Sequence, residues 1–79
     1  MNVVLTWACD PGCSRYEVAA CNHDGTGCSV FSSSPNRNGV TAPHQTLFSR
    51  TYKLLCNGTP VASRLLRVFD ANLREILPP

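Results

Sequence analysis

Charge is scarce in this chain. Seven Lys and Arg and five Asp and Glu make up only 15% of its 79 residues, against roughly 25% in an average soluble domain. A net charge of +2 is too small to mark a nucleic-acid footprint, and no block of like charges is present to form a disordered tail. Long hydrophobic runs are missing too, with nothing near the ~18 apolar residues of a membrane-spanning helix. Helical periodicity is confined to the last few residues, and no internal repeat or heptad pattern occurs. What the chain does have is cysteine, five residues of it, with six prolines and five glycines. A single domain of this size buries only about 60% of the surface its unfolded chain exposes, so staples or partners are expected.

Cysteine at this density belongs to oxidising compartments. Yet Met1-Asn2 runs straight into Val3-Val4-Leu5-Thr6-Trp7, without the basic segment, apolar stretch and cleavage site of a signal peptide. Two origins are consistent with this: a domain taken from a longer exported protein, or a small product whose thiols oxidise only after a phage particle is released. Asn57-Gly58-Thr59 is formally a glycosylation acceptor, but Pro60 follows it and the segment reads as a turn.

The periodicity that dominates is that of strands. Val3, Leu5, Trp7 and Cys9 share one face of a first run, which Asp10-Pro11-Gly12 ends with turn chemistry. In Arg15 to Cys21, Tyr16, Val18 and Ala20 point one way and Arg15 and Glu17 the other. Asn22 to Gly27 reads as a hairpin loop leading to a short strand, Cys28 to Ser32. The Ser-, Asn-, Pro- and Gly-rich stretch from Ser32 to about Pro43 reads as an exposed loop with Asn38-Gly39 as a local turn. Gln45 to Phe48 and Thr51 to Cys56 follow as strands, Tyr52, Leu54 and Cys56 sharing a face, and Val61 to Asp70 closes the series. Leu73, Ile76 and Leu77 then have helical spacing, enough for one or two turns before Pro78-Pro79. Six or seven short strands separated by turns predict an antiparallel β-sandwich over residues 1–71, with a small closed barrel as the structural alternative. Residues 72–79 form a short tail that packs on the domain or on a partner.

Val4-Leu5-Thr6-Trp7 followed by Tyr16-Glu17-Val18 resembles the second and third strands of immunoglobulin-like (Ig-like) and fibronectin type III-like domains. Thr51-Tyr52-Lys53-Leu54-Leu55-Cys56-Asn57-Gly58, with Val61-Ala62-Ser63 and the strand beyond, is similar to the sixth and seventh strands of bacterial Ig-like domains. A first strand is nearly missing, and the segment from Leu73 to Leu77 is additional. The resemblance makes Trp7 a core residue and Tyr52 a tyrosine corner whose hydroxyl bonds to backbone. It also gathers Cys9, Cys13 and Cys56 at one end of the sandwich and places Cys21 and Cys28 at the other. The expected pairs are Cys21–Cys28 and Cys56 with either Cys13 or Cys9, Cys13 being the partner that the bacterial Ig-like pattern implies. One cysteine is left over, buried or linked to another molecule.

Zinc competes for the same residues through Cys9-x3-Cys13, Cys21-x-His23 and His23-x4-Cys28, but no tight C-x2-C pair exists and no metal or cofactor is expected. No catalytic cluster can be assembled. His23 and His44 lie in loops, and Asp10, Glu17, Asp24, Asp70 and Glu75 show no close pairing, so an enzyme is not expected. Arg15, Arg37, Arg50, Lys53, Arg64, Arg67 and Arg74 are spread like a solvated surface, and no amphipathic basic helix suggests a membrane. An aromatic carbohydrate platform of Trp7 or Tyr16 needs rings that point outward, against their phase with Leu5 and Val18. Protein interaction remains. Leu55, Leu65 and Phe69 lie out of phase with the inward sets, and with Leu73, Ile76 and Leu77 they make a candidate interaction surface. The expectation is a non-enzymatic module attached to a larger assembly, such as a virion decoration protein on a capsid or tail surface, with a homo-oligomer as a further possibility. The alternatives are an Ig-like spacer or carbohydrate-binding domain of a secreted or cell-surface adhesin or enzyme, and a small inhibitor of a host protein.

Overall fold

The computed structural model describes residues 2–8, 10–35, 39–40 and 44–78, and these form an all-β structure without a helix. Cys9 and residues 36–38 and 41–43, Arg37 among them, lie outside the described residues; the rest of the predicted loop from Ser32 to Pro43 is strand. The strands are β1 (Asn2–Val3), β2 (Thr6–Trp7), β3 (Arg15–Asn22), β4 (Ser29–Pro35), β5 (Gly39–Val40), β6 (His44–Gln45), β7 (Arg50–Cys56) and β8 (Thr59–Leu66). The four longer strands form one antiparallel sheet in the order β4-β3-β7-β8, and the short ones pair as two antiparallel ribbons, β1 with β6 and β2 with β5.

The core lies on the sheet face that the ribbons cover. Tyr16, Val18 and Ala20 of β3 and Tyr52 of β7 are buried there, with Ala20 opposite Tyr52 and Val18 opposite Leu54. Tyr16, Val18, Ala20 and Tyr52 follow the phase expected from sequence, but Ala19 and Cys21 of the opposite phase are buried too and the other residues of β7 are half-buried, as suits strands with a hydrogen-bonded neighbour on both sides. The first run is one strand in pattern but two in structure. It changes partner between Val3 and Thr6, from His44-Gln45 to Gly39-Val40, while Val3, Leu5 and Trp7 stay half-buried and Val4, Thr6 and Ala8 exposed. Gly39 is therefore a strand residue facing Trp7, where a Cβ would overlap the indole.

Two bulges shape the sheet. In β4 the extra residue opposite Val18-Ala19 is Phe31, which packs on His44 at 4.4 Å and on Tyr52 at 6.1 Å between ring centroids. In β8 the extra residue is Val61, opposite the Leu54-Leu55 step and 58% exposed. Asn57 (φ 51°) and Gly58 (φ 84°) close the β7–β8 hairpin with two left-handed residues, the turn chemistry that Asn-Gly favours. The Asn57 Oδ1 accepts from the backbone N–H groups of Ser14 and Arg15 at 3.0 and 3.2 Å, tying the turn to the loop before β3.

The tail departs from its helical spacing. Beyond Leu66 strand β8 has lost its neighbour, because β7 begins at Arg50, and the chain folds back on itself with a bridge between Phe69 and Glu75. Ser49 anchors that hairpin. Fully buried, it donates its N–H to the Ile76 carbonyl at 2.8 Å and its hydroxyl to Glu75 at 3.0 Å, and accepts the Val68 N–H at 2.8 Å.

Candidate functional site

The candidate surface is best built from the cysteines outward, since they fix the two ends of the sheet. Cys13 is disulfide-bonded to Cys56 with 5.5 Å between Cα atoms, and Cys21 to Cys28 with 4.0 Å. The first bond fastens the loop before β3 to the end of β7. The second closes the β3–β4 hairpin, whose turn uses Gly25 and Gly27 at positive φ. With four thiols engaged in this way, no group of three or more His, Cys, Asp or Glu suited to a metal ion is found among the described residues.

Trp7, Tyr16 and Tyr52 are turned to the inside. Trp7 packs on Tyr16 at 6.0 Å between centroids. The Tyr52 hydroxyl lies 2.9 Å from His44 Nδ1 and so bonds to a side chain rather than to backbone, which corrects the expected tyrosine corner. Tyr16 makes the backbone link instead, its hydroxyl accepting the Asp10 N–H at 2.6 Å. Burial, and to a lesser degree the nearby Arg50 cation, depress the His44 pKa below the ordinary imidazole value, while burial raises that of Tyr52. A neutral ring is the form that can offer Nδ1 as an acceptor.

The six apolar candidates fall into two groups. Leu55, half-buried, and Leu65, 58% exposed, sit on the sheet face that no ribbon covers. Phe69, Leu73 and Leu77 are exposed on the tail hairpin, while Ile76 is half-buried beside Ser49. The Arg67 guanidinium lies 5.2 Å from the Phe69 ring centroid and pairs with Glu75 at 2.7 Å. That hydrogen-bonded ion pair, aided by Ser49, holds the Glu75 carboxyl below its ordinary pKa. Strand β8 joins the two groups. It is the sheet edge, and every residue from Thr59 to Leu65 is exposed, so both of its faces meet solvent.

Sequence reasoning missed exposed Leu47 and Val61, and it missed a cleft. The covering ribbons stop short of β8 and leave an opening of about 160 Å³, floored by Val18, Leu54 and Ala62, walled by Leu5 and Trp7, with Arg64 among its lining residues. An adjoining opening of about 290 Å³ runs along Val3 and Val4 to Leu65 and Leu66. Apolar alternation in β7 predicts a covered face but carries no signal that the cover ends one strand early. No family model, curated protein or solved structure matches the chain, so a functional reading rests on its own geometry.

Proposed function

We propose that this chain is a non-enzymatic, Ig-like protein-interaction module. The observation that carries the reading is the flank formed by β8 and the tail hairpin, where an edge strand exposed from Thr59 to Leu65 has both faces in solvent and leads into a hairpin on which Phe69, Leu73 and Leu77 are exposed. An unpaired edge of this length invites strand pairing or a covering partner. What supports the Ig-like part of the reading is the order β4-β3-β7-β8, the one expected if β3, β7 and β8 are the third, sixth and seventh strands of such a fold with one strand added beyond the third, and the β1–β6 pairing, which its second and fifth strands would make. In this reading the second sheet is reduced to the two ribbons.

Two disulfides in so small a chain fit an oxidising environment. The specific form of the proposal is an accessory protein on the surface of a larger assembly such as a virion capsid or tail. A carbohydrate platform is disfavoured because the rings of Tyr16 and Tyr52 are buried and Trp7 is folded against Tyr16 and Gly39. The test is site-specific photo-crosslinking in the organism that makes the protein, with the reactive group at Leu65 or Leu77 and a control at exposed Asp24. A discrete foreign adduct from the first two positions and none from the control is the expected result. Adducts that do not depend on position would overturn the assignment of this flank.

A further inference from the structure

Leu73 is the most exposed large apolar side chain among the described residues, at 84%, and its backbone is left-handed with φ 60°. That conformation is disfavoured for an ordinary L-residue, and leucine has no polar side-chain atom to offset it locally. The turn is nevertheless firmly built. Leu73 N–H donates to the Asp70 carbonyl at 3.0 Å, Asp70 N–H to the Arg74 carbonyl at 2.9 Å, and the Asp70 carboxylate accepts the N–H groups of Asn72 and Arg74 at 2.8 and 3.0 Å. A rigid turn therefore presents an apolar knob to solvent.

The cleft beside β8 is the complementary feature. It is a half-open cleft of about 160 Å³, with room for a group the size of an isobutyl side chain. Arg64, which also lines it, donates to the neighbouring Ser63 carbonyl at 2.9 Å and has no carboxylate partner among the described residues. We propose that the occupant is a second copy of this chain, Leu73 of one copy seating between Leu5 and Ala62 of the next while Asp70 approaches Arg64. The turn also carries Arg74, so its charges cancel, and the Asp70–Arg64 approach sets orientation more than affinity. Knob and cleft are different patches. The knob lies beyond the end of β8 and the cleft beside its middle, and the contact proposed is the head-to-tail one, each copy giving its knob to one neighbour and its cleft to another, rather than the reciprocal exchange of a twofold dimer. It is also small, and small interfaces are weak and concentration-dependent. This inference shares Leu73 with the proposed interaction flank but does not need a foreign partner.

Sedimentation velocity of the oxidised protein from low micromolar to millimolar concentration tests it. The expected result is a weight-average mass that climbs past the dimer without a plateau. Leu73→Asp removes the knob and Ala62→Trp fills the cleft, both at exposed positions, and each variant alone should stay monomeric. Mixed, they should form a one-to-one pair, because the first keeps its cleft and the second its knob. Leu73→Asn, which suits the left-handed turn, should be folded and monomeric, separating loss of contact from loss of fold. A wild-type monomer at every concentration, single variants that associate like wild type, or a mixture that stays monomeric would each overturn the proposal. A foreign adduct from Leu65 or Leu77 in the crosslinking experiment would still stand in those cases.

Discussion

Ser49 shows how much of the tail depends on one side chain. Its hydroxyl is both donor and acceptor, and its N–H is a third link, so a single buried residue joins the loop before β7, the chain after β8 and the returning tail. Ser49→Ala keeps the backbone link but leaves the part-buried Val68 N–H without its acceptor, which costs about 1 kcal/mol, the low end of the penalty for an unsatisfied buried donor. A drop of that size in a urea melt, with faster proteolysis after residue 66, is the expected outcome. Unchanged stability would show that water replaces the hydroxyl. Two titrating groups act in the same direction. The His44 pKa is depressed in the fold, so the unfolded chain takes up a proton first as pH falls, and stability that is complete above the unfolded imidazole value of about 6.5 declines through the lower folded value. Glu75 is likewise depressed, and its contribution is present above the ordinary carboxylate range and lost as pH falls through the folded value. Thermal melts should therefore show a first decline below about pH 6.5, absent in His44→Gln, and a second in the carboxylate range, absent in Glu75→Gln.

At the scale of elements, legibility follows the number of neighbours a strand has. β3 and β7 could be read as strands because both have paired neighbours, and the burial of Tyr16, Val18 and Tyr52 follows their phase, whereas the burial of Ala19 and Cys21 on the opposite phase does not. The pairing of Cys13 with Cys56 came from the resemblance to bacterial Ig-like domains and not from spacing, which leaves Cys9 open as the partner. The structure supplies the physical reason, since antiparallel β3 and β7 bring residue 16 opposite residue 56 and Cys13 lies just before that register. Edges were not legible. Val61 to Asp70 reads as one strand, yet pairing ends at Leu66, since a hydrophobic pattern does not encode where the neighbouring strand begins. The spacing of Leu73, Ile76 and Leu77 fits a helical turn, but the links to Ser49 and Arg67 favour a returning hairpin. Gly39 read as a turn residue because its role against Trp7 is set by a partner more than 30 positions away. Gly39→Ala tests that role directly. Its Cβ would collide with the indole, and overpacking of this kind costs about 1–3 kcal/mol, with loss of the Trp7 fluorescence signature of the packed state. Equal stability would mean the β2–β5 ribbon yields at no cost.

For the whole molecule, shape and covalent framework bear on the same question of stability. The described chain extends 44 × 20 × 15 Å, a slab about two layers thick whose second layer is only two short ribbons. A layer so thin buries little, and the open side of β8 adds nothing. The disulfides compensate from the unfolded side. Cross-linking residues 43 apart removes about 4 kcal/mol of chain entropy in the loop-closure model, and a separation of 7 about 2–3 kcal/mol. Since small domains have about 5 kcal/mol of net stability or a little more, the first bond alone is comparable with the whole. The double substitution Cys13→Ser with Cys56→Ser should therefore leave the chain largely unfolded at 37 °C, while Cys21→Ser with Cys28→Ser should fold with a lowered midpoint, because its loop is short. Intact mass should rise by four protons' worth on reduction of these two bonds, and melts with and without reductant should differ by more than any single core substitution achieves. Coincident melts would place the stability in the thin core after all. They would also remove the reason this fold has for an oxidising environment.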